Sequence, residues 1–252
     1  MALHPLAFGL LFYALMLLSM VEMFRMTGNS DITSQKATVY VIATVLYGMS
    51  ILVANHLLPA WSLISILLFL PVFFIVELFR KKPDTIGNVN YSMFFIIYLT
   101  VPFSVLNFFF DPGLHGTQSR YFIPLGYFLL VWANDIFAYL TGLVIGRHKL
   151  YERISPKKTW EGSLGGLIFS MLMAWGLSFY IQDLNFGEWL GMAVIVVIFG
   201  TFGDLSESMI KRKYSVKDSG NLLPGHGGIL DRLDAMIFSA PAAFCYLFIL
   251  FK

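Results

Sequence analysis

Charge is scarce in this chain and cysteine scarcer still. Charged residues make up 13% of the 252, about half the roughly 25% of an ordinary soluble domain, while 58% are hydrophobic. A water-soluble fold of this size has too little interior for so much apolar surface, so a soluble protein is excluded and the bilayer is the natural solvent. Cys245 is the only cysteine, which rules out an intrachain disulfide and a cysteine-based zinc site. The net charge of +2 is too small to point to nucleic acid. No basic segment precedes the first apolar run, and that run continues too long for a cleavable signal. Alternation of apolar and polar residues is also missing, which excludes a transmembrane barrel. No linker, low-complexity segment or repeat divides residues 1–252, which read as one polytopic membrane domain.

What the chain does have is long apolar runs. A hydrocarbon core about 30 Å thick needs ~20 helical residues at 1.5 Å each. Eight runs meet this: Leu6–Phe24, Ala37–Ala54, Trp61–Phe79, Tyr91–Phe110, Tyr121–Ile145, Gly162–Ile181, Glu188–Ile210 and Ala235–Phe251. The expected fold is therefore an all-α integral membrane bundle of about eight transmembrane helices. Pro71 and Pro102 fall inside the third and fourth runs and are expected to kink them. Loops after the first, third, fifth and seventh runs hold 15 of the 17 lysines and arginines; only Arg120 and Lys252 lie on the other side. The positive-inside rule places those four loops in the cytoplasm and both termini outside.

The half up to about residue 111 reads as scaffold. Glu22 and Glu77 are expected at the interface beside Arg25 and Arg80. Residues 121–252 carry the chemistry. Each charge in a span costs ~2.5–3.5 kcal/mol on insertion scales, and such residues usually face a bundle interior or a watery cavity. Asp135 lies in the fifth run with Tyr139, Gly142 and Gly146 on its stripe, the glycines reading as helix packing. Asp204, Glu207, Ser208 and Lys211 recur at i, i+3, i+4 and i+7 and share one face of the seventh.

Two loops complete the pattern. In Ile154–Gly162, Ser155 before Pro156 reads as an N-cap with proline at the first helical position, placing Lys157 and Lys158 in the first turn. Cations are disfavoured there unless an anion is bound, so amides and both ammonium groups are expected to converge on a phosphate. The other loop, from Ser208 to Asp234, mixes Lys211, Arg212 and Lys217 with the turn Pro224-Gly225-His226-Gly227-Gly228, whose glycines let backbone amides approach a ligand. Asp231 and Asp234 then open the last helix around Arg232. Carboxylates from two helices are the oxygen ligands Mg²⁺ prefers, with phosphates completing its shell, so the pattern describes a metal–polyphosphate site. His226 reads equally as a turn-stabilising residue and as a catalytic one.

At these residues the chain resembles the phosphatidate cytidylyltransferase (CDP-diacylglycerol synthase) family. Its signature has the form S-x-hydrophobic-K-R-x4-K-D-x-small-x2-hydrophobic-P-x-H-G-G-hydrophobic-x-D-R-hydrophobic-D, and residues 208–234 fill every specified position. The Ser155–Gly162 loop and the Gly203-Asp204 pair are also similar. The resemblance implies an all-helical membrane homodimer, with no nucleic-acid partner, that transfers CMP from CTP to phosphatidate, giving CDP-diacylglycerol and pyrophosphate, with Mg²⁺ held by Asp204 and Asp231 and a second, monovalent cation left open. Asp135, Lys217 and Arg232 are the other expected catalytic groups. Ser155, Lys157, Lys158, Ser208, Lys211, Arg212, His226, Gly227 and Gly228 are expected to bind substrate. The implied location is the bacterial inner membrane, site facing the cytoplasm. Family members usually carry one more N-terminal span, and this chain begins with what resembles their second. A CTP-dependent transferase for another lipid, such as an ether phosphatidate or a polyprenol, would present the same site. A transporter would use Asp135 and Asp204 as coupling sites, but the polar residues cluster at one membrane face and the halves show no inverted repeat.

Overall fold

The computed structural model describes residues 4–28, 33–111, 121–220 and 227–252. Eight of its helices are long and apolar enough to cross a membrane: Pro5–Met26, Lys36–Ala54, Ala60–Arg80, Thr85–Phe110, Ile123–Ile145, Trp160–Tyr180, Phe186–Lys213 and Leu230–Leu250, the first to eighth spans below. The fourth starts earlier than its hydropathy indicates. Asp84 accepts from Gly87 N at 3.0 Å, and this cap brings the polar stretch after Thr85 into the helix. Asn88 within it is buried but donates to Glu77 Oε1 at 2.8 Å.

The two expected proline kinks take the form of changes in helix type. The third span runs as 3₁₀-helix through Leu68 and becomes α-helical from Phe69, just before Pro71. Pro102 has no N–H to donate to the carbonyl four residues back, so the preceding turn, Ile96–Thr100, widens to a π-helix in which Val101 N donates to Ile96 O.

Large apolar side chains such as Leu67, Phe79 and Val144 face outward, the surface a bilayer covers. Inside, one cluster of buried side chains runs through both halves, from Met16, Met20 and Tyr47 to Tyr127, Trp189 and Met236. Tyr127 OH meets Ser239 Oγ at 2.7 Å, tying the fifth span to the eighth. The fifth and sixth spans approach closely over small residues: a Cβ at Gly162 would lie 2.7 Å from Ala138 O and one at Gly142 would touch Thr159.

The basic loops meet at one end. Arg80 Nη1 donates to Thr33 O (3.1 Å), Gln35 Nε2 to Glu77 Oε2 (2.8 Å) and Arg212 Nε to Ile154 O (3.4 Å). At the other end His56 lies 2.8 Å from Asp111, and Tyr246 OH donates to Glu188 O. Connections after odd-numbered spans therefore collect on one side and those after even-numbered spans on the other.

Between the fifth and sixth spans lies a two-stranded antiparallel hairpin, β1 (Lys149–Tyr151) and β2 (Ser155–Thr159), with Lys149 opposite Thr159 and Tyr151 opposite Ser155. This corrects the reading of Ser155 as a helix cap. Proline biases the residue before it towards extended backbone, and the strand continues to Thr159. It is Thr159, at φ −128°, whose Oγ1 accepts from Gly162 N at 3.1 Å and starts the sixth span.

Candidate active site

The site grows from one close contact. Gly203 of the seventh span lies against the eighth, where a Cβ would come within 2.5 Å of Asp234 O. With the backbones that near, the charged stripe beginning at Asp204 is pressed against the start of the eighth span, and two layers of charge result.

The inner layer is a buried triad. Lys211 Nζ lies 2.8 Å from Glu207 Oε2 and 2.8 Å from Asp231 Oδ1. The Glu207 side chain is fully buried, and its Oε1 has no hydrogen-bond partner. Asp231 is better served: Ser219 N reaches Oδ2 at 3.0 Å and Gly228 N does so at 2.8 Å. Gly228 is reached through Gly227, whose φ of +83° is a conformation that side-chain-bearing residues rarely adopt. The ammonium and two amides thus converge on the two oxygens of Asp231, which offer about four acceptor positions.

The outer layer is more open. Lys158 of β2 reaches Asp204 Oδ2 at 2.5 Å, and Ser208 Oγ donates to Asp204 Oδ1 at 3.3 Å. About a third of the Asp204 side chain is accessible. Asp135 is exposed on the fifth span, receives Asn134 Nδ2 at 3.4 Å and lies within electrostatic reach of Asp204 and Lys158. Asp234 is within reach of Asp204, Glu207 and Asp135. Five carboxylates, Asp135, Asp204, Glu207, Asp231 and Asp234, thus share a short length of the bundle with two lysines. Gly203 stands beside Asp234, and the Lys211 bridge links Glu207 to Asp231, so Asp204 and Asp231 differ in height by two to three residues, ~3–4.5 Å.

Several expected site residues lie elsewhere. Side chains alternate along a strand, so Lys157 is exposed while Lys158 turns inward; the two ammonium groups do not converge. Ser155 is half-buried in the hairpin, opposite Tyr151. Lys211 belongs to the buried triad and is not presented to a ligand. Lys217, Arg212 and Arg232 are exposed at the same end, and His226 lies outside the described residues. Where the glycine turn enters the eighth span the amides meet carboxylates instead of lying open to a phosphate: Gly228 N is given to Asp231, and Ile229 N and Leu230 N to Glu22. Among the described residues no group of three or more histidine, cysteine, aspartate or glutamate side chains is arranged to hold a metal ion.

The sequence reading undervalued three groups. Glu207 and Asp234 were visible as acids, but the full burial of Glu207 and the close approach of Gly203 to Asp234 were not. Tyr98 gives almost no sequence signal: the π turn directs its hydroxyl to 3.5 Å from Ser206 Oγ, within electrostatic reach of Asp204, Glu207 and Asp234. Glu77 pairs with Arg80 at 2.7 Å as expected, although it is buried rather than interfacial. Glu22 departs most: it is not paired with Arg25 but reaches the eighth span.

The bundle and its charged end define a polytopic membrane protein whose ionisable groups gather at one face rather than along a path across it. Comparison with known proteins agrees. The family described as "Cytidylyltransferase family" matches residues 1–250. A phosphatidate cytidylyltransferase of Staphylococcus aureus (strain COL) is 37% identical over 196 residues, covering 76% of this chain and 72% of that protein. Phosphatidate cytidylyltransferases of Staphylococcus saprophyticus and Staphylococcus haemolyticus are 42% identical over 163 residues (64% of this chain, 60% of theirs) and 50% identical over 116 residues (45% and 44%). The chain belongs to the cytidylyltransferase family, as the resemblance of residues 208–234 implied.

Proposed function

We propose that this protein is a phosphatidate cytidylyltransferase. A phosphate oxygen of phosphatidate attacks the α-phosphorus of CTP; the new P–O bond replaces the α–β linkage and pyrophosphate leaves, giving CDP-diacylglycerol. The phosphatidate phosphate is anionic near neutral pH, so no general base is required and no covalent enzyme intermediate forms. The difficulty is charge, because two polyanions must meet, and positioning with electrostatic stabilisation accounts for most of the catalysis.

The observation that carries the reading is the meeting of Lys158 with Asp204 at the mouth of the charged cluster, at the end where the basic loops gather. Lys158 is placed to orient a phosphate. Lys157, Lys217, Arg212 and Arg232 line the approach as exposed cations, and Ser208 holds Asp204 in place. Ser155 and the glycines shape the hairpin and the loop. Lys211 bridges Asp231 and Glu207 in the buried layer behind them.

The donor set fits Mg²⁺ unequally. Asp204 already faces a cation, the Lys158 ammonium, and is accessible, which suits a hard divalent ion. Asp231 fits when it exchanges the Lys211 ammonium for the ion. Asp135 and Asp234 lie within electrostatic reach of Asp204 and add negative charge to the same region. When bound, the ion neutralises charge building on the leaving pyrophosphate. The location proposed is the inner membrane, with the basic end in the cytoplasm. A homodimer is part of this proposal as what the family resemblance implies.

The test is incubation of detergent-solubilised protein with labelled CTP, Mg²⁺ and phosphatidate. Lipid-extractable label is expected from the wild type and none from Asp231→Asn, which still inserts. Near-normal CDP-diacylglycerol synthesis by Asp231→Asn refutes the assignment. Transfer to a polyprenol phosphate in place of phosphatidate refutes the substrate.

A further inference from the structure

Glu22 belongs to the first span, yet its nearest partners lie at the far end of the chain. The residue is 1% exposed. Its carboxylate accepts from Ile229 N at 3.0 Å, Leu230 N at 2.9 Å and Ser219 Oγ at 3.2 Å. The two amides open the eighth span, whose N-cap residue, Ile229, has no side-chain cap of its own. Glu22 supplies from another helix what a serine or aspartate normally supplies locally, and its charge suits the positive end of the helix dipole. The approach is close enough to need glycine on both sides: a Cβ at Gly220 would lie 2.7 Å, and one at Gly228 2.6 Å, from a Glu22 oxygen. From there the contacts continue directly, because Gly228 N and Ser219 N both donate to Asp231, which holds Lys211.

We infer that Glu22 is a positioning residue of the active site, the anchor that sets the height and orientation of Asp231 and of the segment Gly228–Leu230 that leads into it. The inference rests on the reading of the site given above. The half of the chain that reads as scaffold thereby takes part in catalysis through one carboxylate. Glutamine is nearly isosteric but has a single acceptor oxygen, and its NH₂ would face an amide N–H, donor against donor. Glu22→Gln therefore frees at least one of the two amides, and the first turn of the eighth span loses its fixed position.

The test uses the full-length protein in lipid nanodiscs. It combines hydrogen exchange, without nucleotide or metal, with kcat and KM for CTP and phosphatidate. In Glu22→Gln the amides of Ile229 and Leu230 are expected to exchange about tenfold faster, with the seventh-span amides unchanged. A displacement on the scale of 1 Å lowers kcat by about a hundredfold, with KM for phosphatidate held. Ser219→Ala removes one of the three bonds and keeps the backbone donor, so it moves both readouts the same way by less; it serves if Glu22→Gln does not fold. Glu77→Gln, a buried carboxylate with no contact to the loop, is expected to change neither exchange at 229–230 nor kcat per folded molecule. Unchanged exchange in Glu22→Gln overturns the anchor. Faster exchange with kcat per folded molecule as in wild type overturns the link to catalysis. Wild-type protein that labels no lipid removes the reading of the site instead, and the exchange comparison then still decides whether Glu22 holds the loop.

Discussion

Replacing Lys211 with methionine removes the cation from the triad and keeps most of its apolar stem. In the wild type the ammonium lies 2.8 Å from both Glu207 and Asp231, and both its own side chain and that of Asp231 are only 12% exposed. After substitution Asp231 keeps its two amide donors, whereas Glu207, fully buried, loses the one ionic partner it has among the described residues. Leaving a buried charge uncompensated costs about 3–5 kcal/mol. At about 2–4 °C per kcal/mol for a chain of this size, that is a fall in Tm of roughly 6–20 °C. The assay is thermal unfolding of purified protein in one detergent, followed by size-exclusion chromatography. A second substitution supplies the control. Glu207→Leu combined with Lys211→Met removes the orphaned carboxylate along with its partner, and most of the loss is expected to return, because buried pairs replaced together by apolar groups are often neutral. A single variant within about 2 °C of wild type, or a double variant no better than the single, would show that the triad is not a buried ion pair and refute the reasoning.

Three further outcomes follow from the same geometry. Lys158→Gln is expected to lower kcat/KM for CTP by about a hundredfold, the scale of losing a charge placed against the reacting phosphates; Lys157→Gln, on the opposite face of β2, should cost no more than a few-fold, and steady-state kinetics on the pair separates them. Thr159→Ala removes the cap of the sixth span and should cost about 1 kcal/mol, read as a small drop in Tm that Thr159→Ser restores. Gly203→Val forces a side chain into the backbone of the eighth span, so assembly of the site should fail while membrane insertion persists, checked by turnover and fractionation together.

The spans and the gathering of the basic loops at one end were legible because the signal is redundant. Twenty apolar residues and a one-sided distribution of lysine and arginine each constrain topology, and their agreement leaves little freedom. The charged stripe of the seventh span was legible too, since helical spacing places Asp204, Ser208 and Lys211 on one face whatever surrounds it. The hairpin was not. Serine before proline is compatible with a cap and with a strand, and only the docking of Thr159 against Gly142 and Gly162 decides between them. Nor could spacing show that Lys157 and Lys158 part company, because that depends on strand rather than helix. Glu22 is the deeper omission. An acid near a span end reads as interfacial, and nothing within 20 residues of it in sequence identifies its partners, which lie about 200 residues away. The same distance explains why the glycine turn read as an open phosphate cradle when the amides at its junction with the eighth span, Gly228 to Leu230, are given to carboxylates.

The central claim is that acids of the seventh and eighth spans hold a divalent ion against the triphosphate. Its most direct measurement is Mn²⁺ binding by electron paramagnetic resonance, on wild type, Asp204→Asn and Asp231→Asn with CTP present. The account predicts saturable, CTP-dependent binding in the wild type and its loss in both folded variants; binding of wild-type strength in either one would contradict it.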